Sequence, residues 1–230
     1  MDIFIGVLAN AGLVVAGGLA GLAIGKIKAV SGIAARITQA FGLFVLVMGV
    51  QGVDLSNPVY FLICLIAGIS IGELIDVDDL FNRFGAWVES KVKGGDNKTA
   101  EIFVSASLLF CIGSMTFLGA IESGLQHSHT VYITKGIIDC VCGVTMAMTS
   151  GLGVMLSAVS VLVYQGLLVL GAALLGDVIT GATIAMCVSV GSLFLVGIGL
   201  NMLGITKIKV ANFLPAMFMP MIWQLISSIF

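Results

Sequence analysis

Asp139 is the side chain in this sequence best placed to do chemistry inside a membrane. It is the only charged residue in an apolar stretch of 41 residues, 136–176. An ionisable group within a bilayer is costly to bury and is therefore a functional candidate by default. Lys135 precedes it by four residues, so the two side chains can pair on one helix face. The alternative is an ion pair at the outer interface, with the Lys135 ammonium extending to water.

Hydroxyl and amide side chains form polar stripes on the three helices that we expect around Asp139. Such groups often do no more than join neighbouring helices by hydrogen bonds. Three stripes together nevertheless predict a small hydrophilic site for a polar solute or an ion. The stripes are Ser107, Cys111 and Ser114; Asp139, Gly143 and Ser150; and Ser157, Ser160, Tyr164 and Gln165. The predicted substrate-binding residues are Ser107, Ser114, Asp139, Ser150, Tyr164 and Gln165.

A run of helix-breaking residues, Thr149-Ser150-Gly151-Leu152-Gly153, interrupts the long apolar stretch. We therefore divide the stretch into a fifth segment, 131–148, and a sixth, 154–175. Non-helical backbone at membrane depth is tolerated only where it is buried in protein or lines a water-filled cavity. The run is thus a candidate ligand site, and the alternative is a plain cytoplasmic turn.

Patterns typical of metalloenzymes and metal sites are missing from the sequence. It contains no His-Glu-x-x-His, and His127 and His129 fall in a predicted outer loop. Cys140-Val-Cys142 lacks the spacing and second ligand pair of a zinc site. We expect the five cysteines, all in apolar segments, to be free thiols. The predictions are no enzymatic activity, no cofactor and no metal.

The composition defines the class of protein. Of the 230 residues, 59% are hydrophobic and 10% are charged, against about 45–50% and about 25% in soluble domains. So many apolar residues cannot be buried inside a soluble globule of this size. A net charge of −2 argues against a nucleic-acid partner. The expected partner is a lipid bilayer.

Eight segments approach the roughly 20 apolar residues that a membrane-spanning helix needs. If all eight cross, nine of the ten Lys and Arg residues fall on one side, whereas seven crossings divide them seven to three. Because cytoplasmic loops collect positive charge, we predict eight crossings with both termini outside the cytoplasm. The segments are 3–25, 37–53, 59–75, 102–121, 131–148, 154–175, 179–203 and 211–230.

An internal repeat is suggested by a shift of 150 residues within this single membrane domain, 1–230. The shift places 43–46 on 193–196 and Gly49 on Gly199. It predicts an inverted repeat of three helices, 3–75 and 154–230, around the central helices in 102–153. The alternative is that apolar segments resemble each other by composition alone. Inverted repeats are common in secondary transporters.

The one extended polar region, 76–101, is predicted to form a cytoplasmic amphipathic helix followed by a flexible loop. Its apolar residues recur at three- and four-residue spacing, which places them on one helix face. A helix of this kind lies along the membrane surface or binds a partner. The apolar residues are Val77, Leu80, Phe81, Phe84, Trp87 and Val88.

Glycines at four-residue spacing form two ladders, which let helix backbones approach closely. One ladder is Gly17, Gly21 and Gly25 in the first segment, and the other is Gly68 and Gly72 in the third. The spacing does not distinguish packing within a chain from packing between chains. A homodimer is also expected, because the first ladder offers a packing face and two-fold assemblies are the commonest.

Several motifs together resemble the bacterial membrane family known as domain of unknown function 554, of the YdfK/YqgA type. The motifs are Ile71-Gly-Glu-Leu-Ile-Asp76, Leu80-Phe-Asn-Arg-Phe-Gly85, 105–114, Tyr164-Gln-Gly166, 199–205 and 210–215. The resemblance implies an inner-membrane location and a shared fold, with no established substrate. The possible inverted repeat, the broken region 149–153 and the polar stripes predict a small-solute or ion transporter of the bacterial cytoplasmic membrane. The alternative is a scaffold or sensor that acts through its cytoplasmic amphipathic helix.

Overall fold

The structure, a computed structural model, describes residues 2–83, 98–175 and 180–227. These residues form helices and connecting turns, with no strand among them. The prediction of an all-helical, polytopic membrane protein is confirmed. The helices are α1 (Ile5–Gly25), α2 (Lys28–Gly52), α3 (Pro58–Ile75), α4 (77–83), α5 (Lys98–Cys111), α6 (Ser114–Leu125), α7 (Thr130–Leu175), α8 (Gly181–Met202) and α9 (Leu214–Ser227).

Six stretches of the described chain are long and apolar enough to cross a membrane, and the bent pair α5–α6 is a seventh if it forms one span. A shorter apolar stretch, Arg36–Gly52, lies in α2. In position these stretches correspond to the eight predicted segments, and the number of complete crossings stays a prediction. Large apolar side chains on the outer surface, such as Leu8, Ile66 and Val141, are more than half exposed, as expected for contact with lipid.

Helix α7 reverses direction although its 46-residue backbone is helical throughout. A straight helix of that length would measure about 69 Å, more than twice the bilayer core. Instead, a Cβ placed on Gly143 would lie 3.5 Å from Val154 Cγ1, although these residues would be about 16 Å apart along a straight helix. The two apolar halves, Thr130–Met148 and Leu152–Leu174, are called α7a and α7b below.

The prediction of non-helical backbone at 149–153 is wrong, because the backbone there is helical. A ligand site in this run stays a prediction. Gly153 instead permits close packing: a Cβ at this position would lie 2.5 Å from the Thr99 carbonyl oxygen of α5. A glycine that appears in the sequence as a helix breaker therefore serves helix packing in the folded chain. The side chains of 149–151 lie outside the part of the chain that the structure describes.

The first glycine ladder packs within the chain. A Cβ on Gly17, Gly21 or Gly25 would lie 2.4–2.5 Å from the carbonyl oxygens of Cys140, Val144 and Met148 in α7a. Helix α1 thus runs parallel to α7a, with its glycine face covered. The surface on which we based the expected homodimer is occupied by the chain itself.

The helices of the first predicted triplet pack against those of the second. Helix α2 runs antiparallel to α8, with Gly49 beside Ser192 and Val196. Helix α3 runs antiparallel to α9. Gly68 lies against the backbone of Ala216 in α9, and Gly72 lies against the backbone of Asn212 just before α9. Helix α1 is antiparallel to α7b, since Gly18 contacts Met155 and Asn10 contacts Gln165.

Helix α4 is the described part of the predicted amphipathic helix, and it is tied to the connection between α8 and α9. The Asp78 N–H donates to Asn212 Oδ1 over 2.7 Å, and Lys209 Nζ lies 3.3 Å from Asp76 Oδ1. Val77 and Phe81 pack on the core, whereas Leu80 is 60% exposed. Phe84, Trp87, Val88 and the predicted flexible loop up to residue 97 lie outside the described residues, whereas 98–101 form the start of α5.

The Asp76–Lys209 pair predicts a pH dependence of stability with a definite sign. Partial burial of Asp76 favours the neutral carboxyl, but hydrogen bonds from the Asp79 N–H and from Lys209 lower its pKa below the ordinary value of 3.8. The contribution of Asp76 is therefore present above pH 3.8 and is lost as the pH falls through the lowered pKa. The Asp76 carboxylate likewise raises the pKa of Lys209 above 10.5. The contribution of Lys209 to stability therefore persists until strongly alkaline pH.

Acidification is therefore expected to destabilise the wild type more than an Asp76→Asn variant, which has no carboxyl to protonate. Thermal unfolding of both proteins, compared between about pH 5 and about pH 3, checks this expectation. Equal acid-induced losses in the two proteins would show that the ion pair contributes nothing.

Candidate functional site

Lys135 and Asp139 form an ion pair one helical turn apart on α7a. Their side chains are only 6% and 8% exposed, so the pair lies inside the helix bundle. The alternative of an interfacial pair with Lys135 extending to water does not hold. Both charges are shielded by the helices packed around α7a, and a buried pair of this kind is costly to maintain.

Two amide side chains adjoin the ion pair. Asn10 of α1 donates from Nδ2 to Gln165 Oε1 of α7b over 3.1 Å, and neither residue is exposed. Asn10 also lies beside the Asp139 carboxylate. Gly136 permits this approach, because a Cβ there would lie 3.0 Å from the Asn10 Cα. These four residues, Asn10, Lys135, Asp139 and Gln165, are called the central polar cluster.

The central polar cluster keeps one unused acceptor and one unused donor. Within the described chain, Asn10 Oδ1 and Gln165 Nε2 are buried and have no hydrogen-bond partner. A buried polar atom without a partner costs about 1–3 kcal/mol, so its presence requires an explanation. One explanation is that the cluster is built to contact a polar ligand.

A break in the helical backbone lies close to the central polar cluster. Helix α5 ends at Cys111 and α6 begins at Ser114, with an angle of 57° between them. Gly113 between them has φ 129° and ψ 159°, a conformation essentially confined to glycine. Cys111 lies within electrostatic range of both Lys135 and Asp139. The fourth segment, 102–121, which we treated as one helix, is therefore broken near Gly113, and its crossing of the membrane stays a prediction.

The first turn of α6 carries a further buried polar group. The Thr116 hydroxyl is fully buried and has no partner in the described chain. The Thr116 carbonyl oxygen accepts a 2.9 Å hydrogen bond from the Tyr132 hydroxyl of α7a. This bond attaches α6 to the helix that carries the ion pair.

The structure brings some of the predicted site residues together and separates others. Gln165 and Asp139 share the central polar cluster through Asn10. Ser107 is buried and donates to the Ser160 hydroxyl over 2.9 Å, which joins α5 to α7b. Tyr164 faces α9, where its hydroxyl lies 4.0 Å from the Met217 sulfur. The side chains of Ser114 and Ser150 lie outside those that the structure describes.

Sequence reasoning missed Asn10 as a site residue and treated Lys135 only as a partner of Asp139. The signal for Asn10 was present: it is the one amide in the apolar α1, seven residues before Gly17 on the same face. Its partner Gln165 is 155 residues away in the chain. Only the folded arrangement of α1, α7a and α7b shows that the two belong together.

Two cavities lie at opposite ends of the bundle. The inner cavity, of about 340 Å³, is at the end that holds Lys207 and Lys209, and α5 contributes Val104, Ser105 and Leu108 to it. The outer cavity, of about 260 Å³, is lined by apolar side chains and Tyr164, with Phe117, Ala120 and Ile121 contributed by α6. Phe110, Phe194 and Met217 belong to the fully buried core.

Metal-binding groups do not accompany this site. In residues 2–83, 98–175 and 180–227, no group of three or more His, Cys, Asp or Glu side chains could hold a metal ion. The five cysteines are free, and three of them, Cys64, Cys111 and Cys187, are buried.

The fold and the buried charges define a polytopic helical membrane protein with a polar cluster enclosed by its helices. The chain belongs to the family described as "Protein of unknown function (DUF554)", whose profile matches residues 5–225. It is 30% identical over 189 residues to the uncharacterised membrane protein YdfK of Bacillus subtilis (strain 168), covering 80% of each chain. It is 27% identical over 223 residues to the uncharacterised protein YqgA of Escherichia coli (strain K12), covering 94% of each chain. No solved structure matches the chain.

Proposed function

We propose that this protein is a secondary transporter of a small polar solute or ion in the bacterial cytoplasmic membrane. The central polar cluster is its substrate site. The observation that carries the proposal is a buried Lys135–Asp139 pair beside two amides with unused hydrogen-bonding atoms. Charged groups inside a membrane bundle are typical of substrate and ion pathways.

The Asp76–Lys209 contact supports the eight-crossing topology. Because these side chains pair, the chain must cross the membrane an even number of times between them. Helices α5–α6, α7a, α7b and α8 supply four crossings. With positive charge concentrated on the cytoplasmic side, Lys207 and Lys209 are cytoplasmic and both termini lie outside.

Reciprocal contacts between α2 and α8 support the inverted repeat of 3–75 and 154–230. The 150-residue shift relates Leu46 to Val196 and Gly49 to Gly199. A Cβ on Gly49 would lie 2.6 Å from the Val196 nitrogen, and one on Gly199 would lie 2.8 Å from the Leu46 nitrogen. Two units related by a two-fold axis make paired contacts of this kind.

A second reciprocal pair of contacts obeys the same 150-residue shift, which relates Gly42 to Ser192. A Cβ on Gly49 would lie 2.8 Å from the Ser192 carbonyl oxygen, and one on Gly199 would lie 2.9 Å from the Gly42 carbonyl oxygen. Such a repeat lets two halves rock about a central site. The broken helix α5–α6 borders the inner cavity with one half and the outer cavity with the other, which suits alternating access.

Transport by purified protein in liposomes tests the proposal, with a panel of ions, small acids and neutral solutes. Asp139→Asn is expected to reduce uptake by at least about tenfold, because each 1.4 kcal/mol lost from a binding site is a factor of about ten. Asp54→Asn is the matched control, since Asp54 is exposed and distant in sequence from the cluster. Wild-type uptake by the Asp139→Asn variant would overturn the central site.

Absence of uptake of every solute in the panel would count against transport. Binding of a cytoplasmic partner that is lost when residues 76–101 are altered would then favour the scaffold or sensor function.

A further inference from the structure

We propose that the central polar cluster binds the head group of a small zwitterion, such as an α-amino acid with one ammonium and one carboxylate. This inference rests on the proposed function, because it names the substrate class of the same site. The charge balance of the cluster and its unused hydrogen-bonding atoms point to this ligand.

The charge balance favours a ligand without net charge. Lys135 and Asp139 are both more than nine-tenths buried and compensate each other. A single cation or anion that entered would compete for one partner and leave the other as an uncompensated buried charge, which is strongly unfavourable. A zwitterion replaces one neutral arrangement by another, because its carboxylate pairs with Lys135 while its ammonium pairs with Asp139.

The unused hydrogen-bonding atoms match the same ligand. Gln165 Nε2 is a buried donor and Asn10 Oδ1 is a buried acceptor, each without a partner in the described chain. The donor adds to the Lys135 ammonium as a second group for a carboxylate. The acceptor adds to the Asp139 carboxylate as a second group for an ammonium. The ligand therefore satisfies both unpaired amide atoms, whereas the ion pair alone satisfies neither.

Thermal unfolding of the purified full-length protein tests the inference whether or not the transported solute has been identified. The probes are glycine and L-alanine as zwitterions, acetate as the carboxylate alone, and methylammonium as the ammonium alone, at equal concentrations. At least one zwitterion is expected to raise the melting temperature progressively with concentration, because a ligand of the native state stabilises it by mass action. Acetate and methylammonium are expected to leave it unchanged.

Variants identify the site of this stabilisation. In Lys135→Met/Asp139→Leu both charges are replaced by apolar groups, an exchange that buried ion pairs commonly tolerate, so the protein should fold and lose the response. The matched control, Asp76→Asn/Lys209→Gln, removes the exposed ion pair and should retain the response. If the double charge deletion does not fold, the single Gln165→Leu variant replaces it and is expected to weaken the response, because it removes the buried amide donor.

Three results would overturn the inference: no stabilisation by either zwitterion, equal stabilisation by acetate or methylammonium, or an undiminished response in the cluster variants. Failure of the proposed function gives a different result. Stabilisation by a zwitterion that is never taken up into liposomes would refute transport and leave the site in place. Asp139-dependent uptake of another solute, without zwitterion binding, would refute the inference alone.

Discussion

Replacing Lys135 by methionine is expected to destabilise the folded protein by about 3–5 kcal/mol, because removal of one partner leaves the other as an uncompensated buried charge. The Asp139 carboxylate is more than nine-tenths buried in the native structure, so water cannot replace the ammonium without opening the bundle. Denaturant-induced unfolding of the purified protein, followed by circular dichroism, measures the loss.

The second replacement should reverse most of this loss. Lys135→Met/Asp139→Leu has no buried charge, so its stability is expected to approach that of the wild type. Lys209→Met removes an exposed ammonium from a comparable pair and should have little effect at neutral pH. A single Lys135→Met variant as stable as Lys209→Met would mean that the Asp139 carboxylate is not confined as described.

The Gly21→Ala substitution is expected to destabilise the protein by about 1–3 kcal/mol, because it forces a methyl group into a packed helix contact. The added Cβ would lie 2.4 Å from the Val144 carbonyl oxygen and 2.6 Å from the Ala147 Cβ. Neither is the end of a flexible side chain, so α1 and α7a must separate. The same unfolding measurement detects the change.

Gly12→Ala provides the matched control on the same helix. Gly12 is exposed, and a Cβ there meets no heavy atom within 4 Å in the described chain. Alanine is favoured over glycine within helices by about 1 kcal/mol, so this variant should be neutral or slightly more stable. Equal destabilisation by the two substitutions would contradict the close packing of α1 on α7a.

Apolar runs and charge placement predicted the helical segments well, because the bilayer imposes a length and a polarity on each of them. They could not predict which glycines interrupt a helix. Gly151 and Gly153 lie in a cluster of apparent breakers, yet the backbone there is helical. Gly113 has fewer helix-breaking residues around it, yet the helix ends there, where the φ of Gly113 is 129°. The outcome depends on which backbone packs against each glycine, and that is a property of the fold.

The candidate site was predictable in part. Asp139 stood out as a lone charge in an apolar stretch, and Gln165 lies on the predicted stripe. The joining of α1, α7a and α7b at Asn10 was not predictable, because it requires the reversal within α7 and a contact between residues 155 positions apart. Tyr164 was predicted to bind substrate beside Gln165, but it faces α9 instead. Neighbouring positions on a helix face different directions.

The glycine ladder of α1 has a consequence for biosynthesis. Gly17 packs on Cys140, which the ribosome adds 123 residues later (140 − 17). At about 5–20 residues per second, α1 must wait in the membrane for about 6–25 s before its partner helix is made. During that interval its glycine face is open to lipid, to the insertion machinery and to other nascent chains. The helix inserted first therefore stays without its native neighbour for a time that is set by translation speed.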